Sequence, residues 1–244
     1  MYVNENTAIL ADFHCHTIAS MHAYSTLREN IEAAKKKGLR LLAVTDHAIG
    51  TADSPPLTYF ENLTSLPSAI DGIQILRGVE ANIMDYNGRL DMPAEVLRRL
   101  DFVIASFHTS CTVPGTVEDH TRAYIEIAKN PDVDMIGHSG TEEFRYDYEK
   151  VIPIFGKYGK AVEVNAHTFI CRQKSVRNCI QIAQLCSRYG VPIMVNSDAH
   201  SEFEIGAVDK ALNMLRQISF PEELIINTDE GRIQRYLTNL SANY

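Results

Sequence analysis

The 244-residue sequence predicts an α/β fold, a (β/α)7 barrel with its candidate site at the C-terminal ends of its strands. Three observations predict it. Short apolar runs alternate with helical patterns along the whole chain, which implies a parallel sheet covered by helices. About seven such units follow one another through short connections, with no linker or repeat, so a single domain over residues 1–244 is expected. Nearly every predicted strand ends in His, Glu or Asp. A barrel gathers all its strand ends around one mouth, whereas a doubly wound sheet concentrates its site at one switch point.

The apolar run Ala8–Ala11 leads into Asp12-Phe13-His14-Cys15-His16, where strand alternation points His14 and His16 one way and Cys15 the other. Thr26 and Glu29 have capping-box spacing for a helix with Leu27, Ile31 and Ala34 on its apolar face and Gly38 at its end. The run Leu39–Val44 reads as a buried parallel strand ending in Thr45-Asp46-His47. A Pro-containing loop and a short helix over Tyr59–Leu66 precede strand Gly72–Val79, which ends in Glu80. Asn87-Gly88 marks a tight turn. The remaining units pair helix Ala94–Leu100 with strand Phe102–Phe107 and His108, and helix Val117–Lys129 with strand Val133–Gly137 and His138. Helix Tyr148–Tyr158 precedes strand Ala161–Val164, and helix Ser175–Tyr189 precedes strand Pro192–Val195 with Asp198 and His200. Helix Ile205–Gln217, an apolar run Leu224–Ile226 and helix Glu230–Leu240 close the chain.

The formal net charge of −8 argues against nucleic acid or an anionic membrane as partner, although bound divalent cations would offset part of it. No apolar run is long enough to span a membrane, and Met1–Asn6 lacks the parts of a secretion signal, so a cytoplasmic protein is expected. Five scattered cysteines without a C-x-x-C pair suit reduced thiols, with Cys179 and Cys186 as packing residues.

At or just after the strand ends fall His14, His16, His22, His47, Glu80, His108, His138, Asp198 and His200. A catalytic ion takes three or four protein ligands, so this set is too large for one ion and suits two, or three if a carboxylate bridges. Imidazole-rich coordination without thiolate favours Zn²⁺, with Mn²⁺ or Fe as alternatives, over Mg²⁺ or Ca²⁺. His120, on a helix, reads as structural.

Asp12-Phe13-His14-Cys15-His16, Thr45-Asp46-His47, Gly78-Val79-Glu80-Ala81-Asn82, the lone His108 and His138, and Ser197-Asp198-Ala199-His200 together resemble the PHP (polymerase and histidinol phosphatase) superfamily. Within it, the chain is similar to small stand-alone bacterial PHP phosphatases with a trinuclear zinc site. The resemblance implies a distorted seven-stranded TIM-like barrel and three divalent ions. One ion would be held by His14, His16, Glu80 and Asp198, a second by Glu80, His108 and His138, and a third by His22, His47 and His200. It implies hydrolysis of phosphate monoesters by a hydroxide shared between ions, with a small phosphorylated substrate or inorganic phosphate as ligand. Glu80 would bridge, and Asp198 is a candidate proton acceptor, although a metal-bound carboxylate is a weak base. Asp12 and Asp46 are candidates to orient imidazoles. Arg145, His167, Arg172 and Lys174 lie on loops after strands and are candidate substrate contacts. Competing readings are a histidinol-phosphate phosphatase, a phosphodiesterase or nuclease, an amidohydrolase-type hydrolase, and a non-enzymatic zinc module.

Overall fold

Apolar runs and capping signals divide the chain into the expected alternation. In the computed structural model, which describes residues 1–241, the elements are β1 (Ala11–Cys15), α1 (Leu27–Lys36), β2 (Leu41–Val44), α2 (Leu57–Glu61), β3 (Ala69–Ile70), β4 (Ile73–Asn82), α3 (Ala94–Leu97), β5 (Phe102–Ser106), α4 (Val117–Lys129), β6 (Met135–Ile136), α5 (Tyr148–Lys157), β7 (Ala161–Asn165), α6 (Thr168–Cys171), α7 (Val176–Tyr189), β8 (Ile193–Asn196), α8 (Asp209–Gln217) and α9 (Glu230–Ser241). Seven strands run parallel in the order β1-β2-β4-β5-β6-β7-β8, and the short β3 pairs antiparallel with β4. The result is a nearly closed TIM-like barrel with helices between the strands. Among the described residues, no helix is long and apolar enough to cross a membrane.

Local chemistry sets the element ends. At the start of α1, Thr26 Oγ1 accepts the Glu29 amide at 3.3 Å and Glu29 accepts the Thr26 amide at 2.7 Å, which closes the predicted box. The Asn87-Gly88 turn forms with Gly88 at φ +76°, the left-handed backbone that glycine tolerates. Other boundaries differ from expectation. β4 continues through Glu80 to Asn82. The helix expected over Tyr59–Leu66 is split between α2 and a 3₁₀ turn at Asn62–Ser65. Helix Ala94–Leu100 shrinks to the single turn of α3. The helix expected from Ile205 begins at Asp209, because Gly206 takes a left-handed φ of +67°, and its amide donates to Asp12 at 3.0 Å. Only two residues of Val133–Gly137 join the ladder as β6. Beyond them the chain presses onto β5, where a Cβ at Gly137 would lie 2.1 Å from Ser106 Oγ.

The barrel interior has two layers. The lower one is apolar and includes Ala11, Phe13, Leu41, Ala43, Leu76, Phe102, Ile104, Met135, Ala161 and Met194, closed below by Ile226 of the last loop and Ile233 of α9. Following the same inward faces upward by the two-residue strand period reaches Glu80 and Asn82 on β4, Ser106 on β5, Glu163 and Asn165 on β7, and Asn196 on β8. All six are buried. A buried polar layer must be internally paired, and this one sits directly beneath the mouth.

The seam between β1 and β8 is closed largely by side chains. Near the mouth, the His16 amide donates to the Ala199 carbonyl (2.8 Å) and the Asp198 amide to the His14 carbonyl (3.0 Å). Lower down, Asn196 Oδ1 accepts the Phe13 amide (3.1 Å). Asn227, fully buried, donates from Nδ2 to the Ala11 and Val195 carbonyls (2.9 and 2.7 Å) and accepts the Val195 amide (3.0 Å). Its side chain substitutes for missing ladder bonds. Asn227→Ala strands these strand-edge groups and is expected to cost about 3 kcal/mol in urea unfolding. A loss below about 1 kcal/mol would show that the seam does not depend on this amide.

Candidate metal centre

The two histidines of β1 reach the interior only because the strand slips phase. Ala11 and Phe13 already face inward, so strict alternation would turn His14 and His16 outward. The β1–β2 register shifts between Asp12 and Cys15. This bulge turns His14 and His16 into the barrel and leaves Cys15 outside, its thiol donating to the Ala43 carbonyl at 3.2 Å. Two other predicted donors carry uncommon backbone angles, His138 at φ +22° and Asp198 at φ +56°. Such conformations cost of order 1–3 kcal/mol and cluster at functional sites.

Nine predicted donors converge at the mouth in three overlapping groups, and across them His16 also clusters with His47 and His200, and His47 with Glu80 and His108. In the first, His14 Nε2 lies 3.4 Å from Glu80 Oε2 and 3.5 Å from Asp198 Oδ1, and His16 Nε2 lies 3.6 and 3.2 Å from the same atoms. In the second, His138 Nε2 is 2.9 Å from Glu80 Oε1 and 3.2 Å from His108 Nε2. In the third, His22 Nε2 is 3.0 Å from His200 Nε2 and 3.3 Å from His47 Nε2. His47 also stands between groups, with Nδ1 2.9 Å from Glu80 Oε2. Glu80 therefore faces all three groups.

Hydrogen bonds on the far side of the rings determine what these atoms can do. His14 Nδ1 donates to Glu163 (2.7 Å), His22 Nδ1 to Asp53, and His200 Nδ1 to the Asp198 carbonyl (2.9 Å). His108 Nδ1 donates to Asn82 Oδ1 (2.6 Å), and that amide cannot be flipped because its Nδ2 donates to Asp91 (2.6 Å). In each neutral ring the proton is on Nδ1 and Nε2 presents a lone pair. Lone pairs then face carboxylate oxygens or other lone pairs, an arrangement that a shared cation, either a proton or a metal ion, satisfies. His14 Nε2 and Glu80 Oε2 are correspondingly buried without a hydrogen-bond partner. A tetrahedral ion bonded at about 2.0–2.1 Å needs donor–donor edges of roughly 3.3–3.4 Å, and the first group has edges of 3.2–3.6 Å. The residues fit divalent metal.

The electrostatics agree. Burial alone would raise the Glu80 carboxyl, but His14, His108 and His47 outweigh it and hold it well below the usual range. Burial opposes ionisation of Asp198 too, and His14, the His16 hydrogen bond and Arg172 overcome it. Burial disfavours a charged His14, yet Glu163, Glu80 and Asp198 push it well above the usual imidazole value. The field that holds a proton on that ring equally favours a cation beside it.

A model of the PHP domain matches residues 12–167, more than half of the chain. The chain belongs to the PHP domain family. It is 45% identical over 228 residues, 93% of this chain and 95% of the relative, to a protein of Acetivibrio thermocellus named "Probable phosphatase". A protein of Caldicellulosiruptor saccharolyticus with the same name is 48% identical over 88% of this chain and 90% of its own length. Among solved structures, the histidinol phosphate phosphatase of Lactococcus lactis, crystallised with zinc, L-histidinol and phosphate, superposes with a TM-score of 0.64 at 17% identity, over 88% of this chain and 95% of that one. At that identity the likeness speaks for the fold.

In this PHP chain a cavity of about 350 Å³ opens at the mouth, lined by seven of the predicted donors together with His167 and Arg172. His14 and His16 are fully buried. Arg172 Nη2 donates to Asp198 Oδ2 at 3.1 Å, and His167 Nδ1 lies 3.9 Å from the same oxygen. Arg145 and Lys174 do not share this cavity. They line a separate cleft with Glu142 and Arg177. His120 is structural, as expected: it donates to the Arg145 carbonyl and accepts the Gly115 amide, both at 2.8 Å.

Asp12 and Asp46 do not orient imidazoles. Asp12 accepts the Ser197 amide and hydroxyl and the Gly206 amide. Asp46 accepts Thr17, Ser20 and Tyr59 and so braces the loop that carries His22. Tyr59 is thereby a brace, and Phe60 packs in the core at 1% exposure. Imidazole orientation falls instead to Glu163, Asn82 and Asp53, which sequence reasoning did not single out. Glu163 had a readable signal. It is a carboxylate in the middle of the apolar run Ala161–Val164, where an unpaired charge would be prohibitive.

Proposed function

We propose that the chain is a metal-dependent phosphatase that hydrolyses small phosphate monoesters at a site for three divalent transition-metal ions, Zn²⁺ above Mn²⁺ or Fe. The observation that carries this reading is the set of imidazole lone pairs facing one another and Glu80 in three groups. His14, His16, Glu80 and Asp198 would hold one ion, Glu80, His108 and His138 a second, and His22, His47 and His200 the third. Bound there, such ions supply Lewis acidity and lower the pKa of water to near neutrality. The chain's own residues do the rest. Glu80 ties the groups together through its two oxygens. Arg172, at the edge of the mouth, meets the charge of a phosphate dianion. Asp198, between Arg172 and the first group, is the nearest carboxylate to take up a proton from attacking water. His167 faces the same cavity and contacts substrate. The names of the relatives support a phosphatase, and the size of the cavity suits a small ligand.

The test is a substrate panel on protein stripped with a chelator and reloaded with Zn²⁺, Mn²⁺ or Fe²⁺. Expected is metal-restored release of phosphate from p-nitrophenyl phosphate, with histidinol phosphate reporting whether that substrate is preferred. Cleavage of single-stranded DNA or a cyclic amide in place of monoesters would overturn the reading. So would freshly purified protein holding no more than trace transition metal.

A further inference from the structure

The cleft that takes Arg145 and Lys174 away from the metal groups has a composition of its own. It measures about 550 Å³ and brings Arg145, Lys174 and Arg177 together with one acidic residue, Glu142. The chain as a whole has 31 acidic and 23 basic residues, so three cations around one carboxylate run against its balance. Glu142 offsets only one of them. Its carboxylate accepts Asn178 Nδ2 at 2.7 Å and reaches Arg145 only at 3.7 Å. Among the described residues, Lys174 and Arg177 have no carboxylate partner within ion-pair distance.

The cleft is built rather than accidental. The loop after β6, the segment after β7 and the first turns of α7, which carry Arg177, Asn178 and Gln181, form it. They are stitched by the Glu142 amide on Ser175 Oγ (3.0 Å) and by Asn178 Nδ2 on the Gly140 carbonyl (3.0 Å). Ser175 ends a 3₁₀ turn in helical backbone and so gives α7 no side-chain cap, while the Val176 amide donates to the Gln173 carbonyl. The cleft also adjoins the mouth. Lys174 is two residues beyond Arg172, so their Cα atoms are at most about 7.6 Å apart, and Arg172 touches Asp198.

We propose that this cleft is a subsite for a second anionic group of the substrate, so that the preferred substrates are phosphate monoesters carrying a further phosphate or carboxylate several bonds from the scissile one. This rests on the phosphatase reading of the metal mouth. Arg145, Lys174 and Arg177 hold the remote anion while Arg172 and the metal groups hold the reacting phosphate.

The test compares hexane-1,6-diol bisphosphate with hexyl phosphate on the metal-loaded protein, and a carboxylate-ended analogue, 6-phosphooxyhexanoate, asks which anion is preferred. The expected result is a kcat/KM about ten-fold higher for the doubly anionic compounds, carried by KM, as the loss or gain of one charged hydrogen bond implies. Arg177→Ala and Arg177→Glu should each shrink that preference toward one, the second more strongly, and leave hexyl phosphate turnover unchanged. Equal kcat/KM for the two compounds in the unaltered protein overturns the proposal, as does a preference that survives both substitutions. If no compound is hydrolysed, the phosphatase reading fails by itself, and calorimetric binding of the same pair still reads the subsite.

Discussion

Glu80→Gln is expected to lower monoester turnover by about 10³-fold or more and to remove at least one equivalent of metal per chain. The side chain is fully buried on β4, with Oε1 2.9 Å from His138 Nε2 and Oε2 within 2.9–3.6 Å of His47, His14 and His16. A glutamine keeps the shape and changes two things. It removes the negative charge that three imidazoles hold ionised against burial. It also turns an N–H₂ group toward ring nitrogens that otherwise offer lone pairs, so a donor would occupy the direction a metal needs. The fold has less to lose, because relieving a buried carboxylate of its charge removes a desolvation cost. Circular dichroism and thermal unfolding of the metal-free protein should therefore match the parent closely. Elemental analysis and phosphate release should not. A variant that keeps its full metal content and more than a tenth of its activity would show that Glu80 does not link the groups.

The parts of this molecule that the sequence makes readable are those that repeat along one dimension. Each parallel strand is a buried apolar run, and its C-terminal end is marked by a residue too polar for the run, so His47, Glu80, His108, His138 and Asp198 announce both the strand and the side of the barrel. Convergence then follows from topology alone. What depends on three-dimensional adjustment is not readable. The bulge in β1 that turns His14 inward leaves no trace in the pattern, because Phe13 and His14 are both acceptable in a strand. Arg172 and Lys174 are two residues apart on one loop, and only the turn between α6 and α7 sends the first to Asp198 and the second to the neighbouring cleft. Asp12 and Asp46 adjoin donors in sequence, yet alternation points them to the outer side of the barrel, where loop hydroxyls and amides meet them.

Glu163 carries the other large expected effect. Its two oxygens accept four donors: His14 Nδ1 at 2.7 Å, the His138 amide at 2.7 Å, and the side-chain amides of Asn165 and Asn196, both at 3.1 Å. Burial would raise this carboxyl, but the adjacent His14 keeps it ionised. In one residue β7 thus steers an imidazole of the first metal group and the strained backbone that presents His138 in the second. Glu163→Gln leaves one acceptor oxygen for four donors, and the new N–H₂ must face two of them, either His14 and Asn196 or the His138 amide and Asn165. If it meets His14, Nδ1 becomes the acceptor, the ring proton moves to Nε2, and the lone pair that faces Glu80 and Asp198 is gone. If it meets the His138 amide, a buried N–H loses its partner at a cost of about 1–3 kcal/mol. Either way metal affinity should fall by about 10–100-fold, measured by competition with a chromophoric chelator, although Glu163 belongs to none of the three donor groups. Unchanged affinity would show that His14 keeps its tautomer without a carboxylate behind it, and the lone-pair reading of the first group would fall with that result.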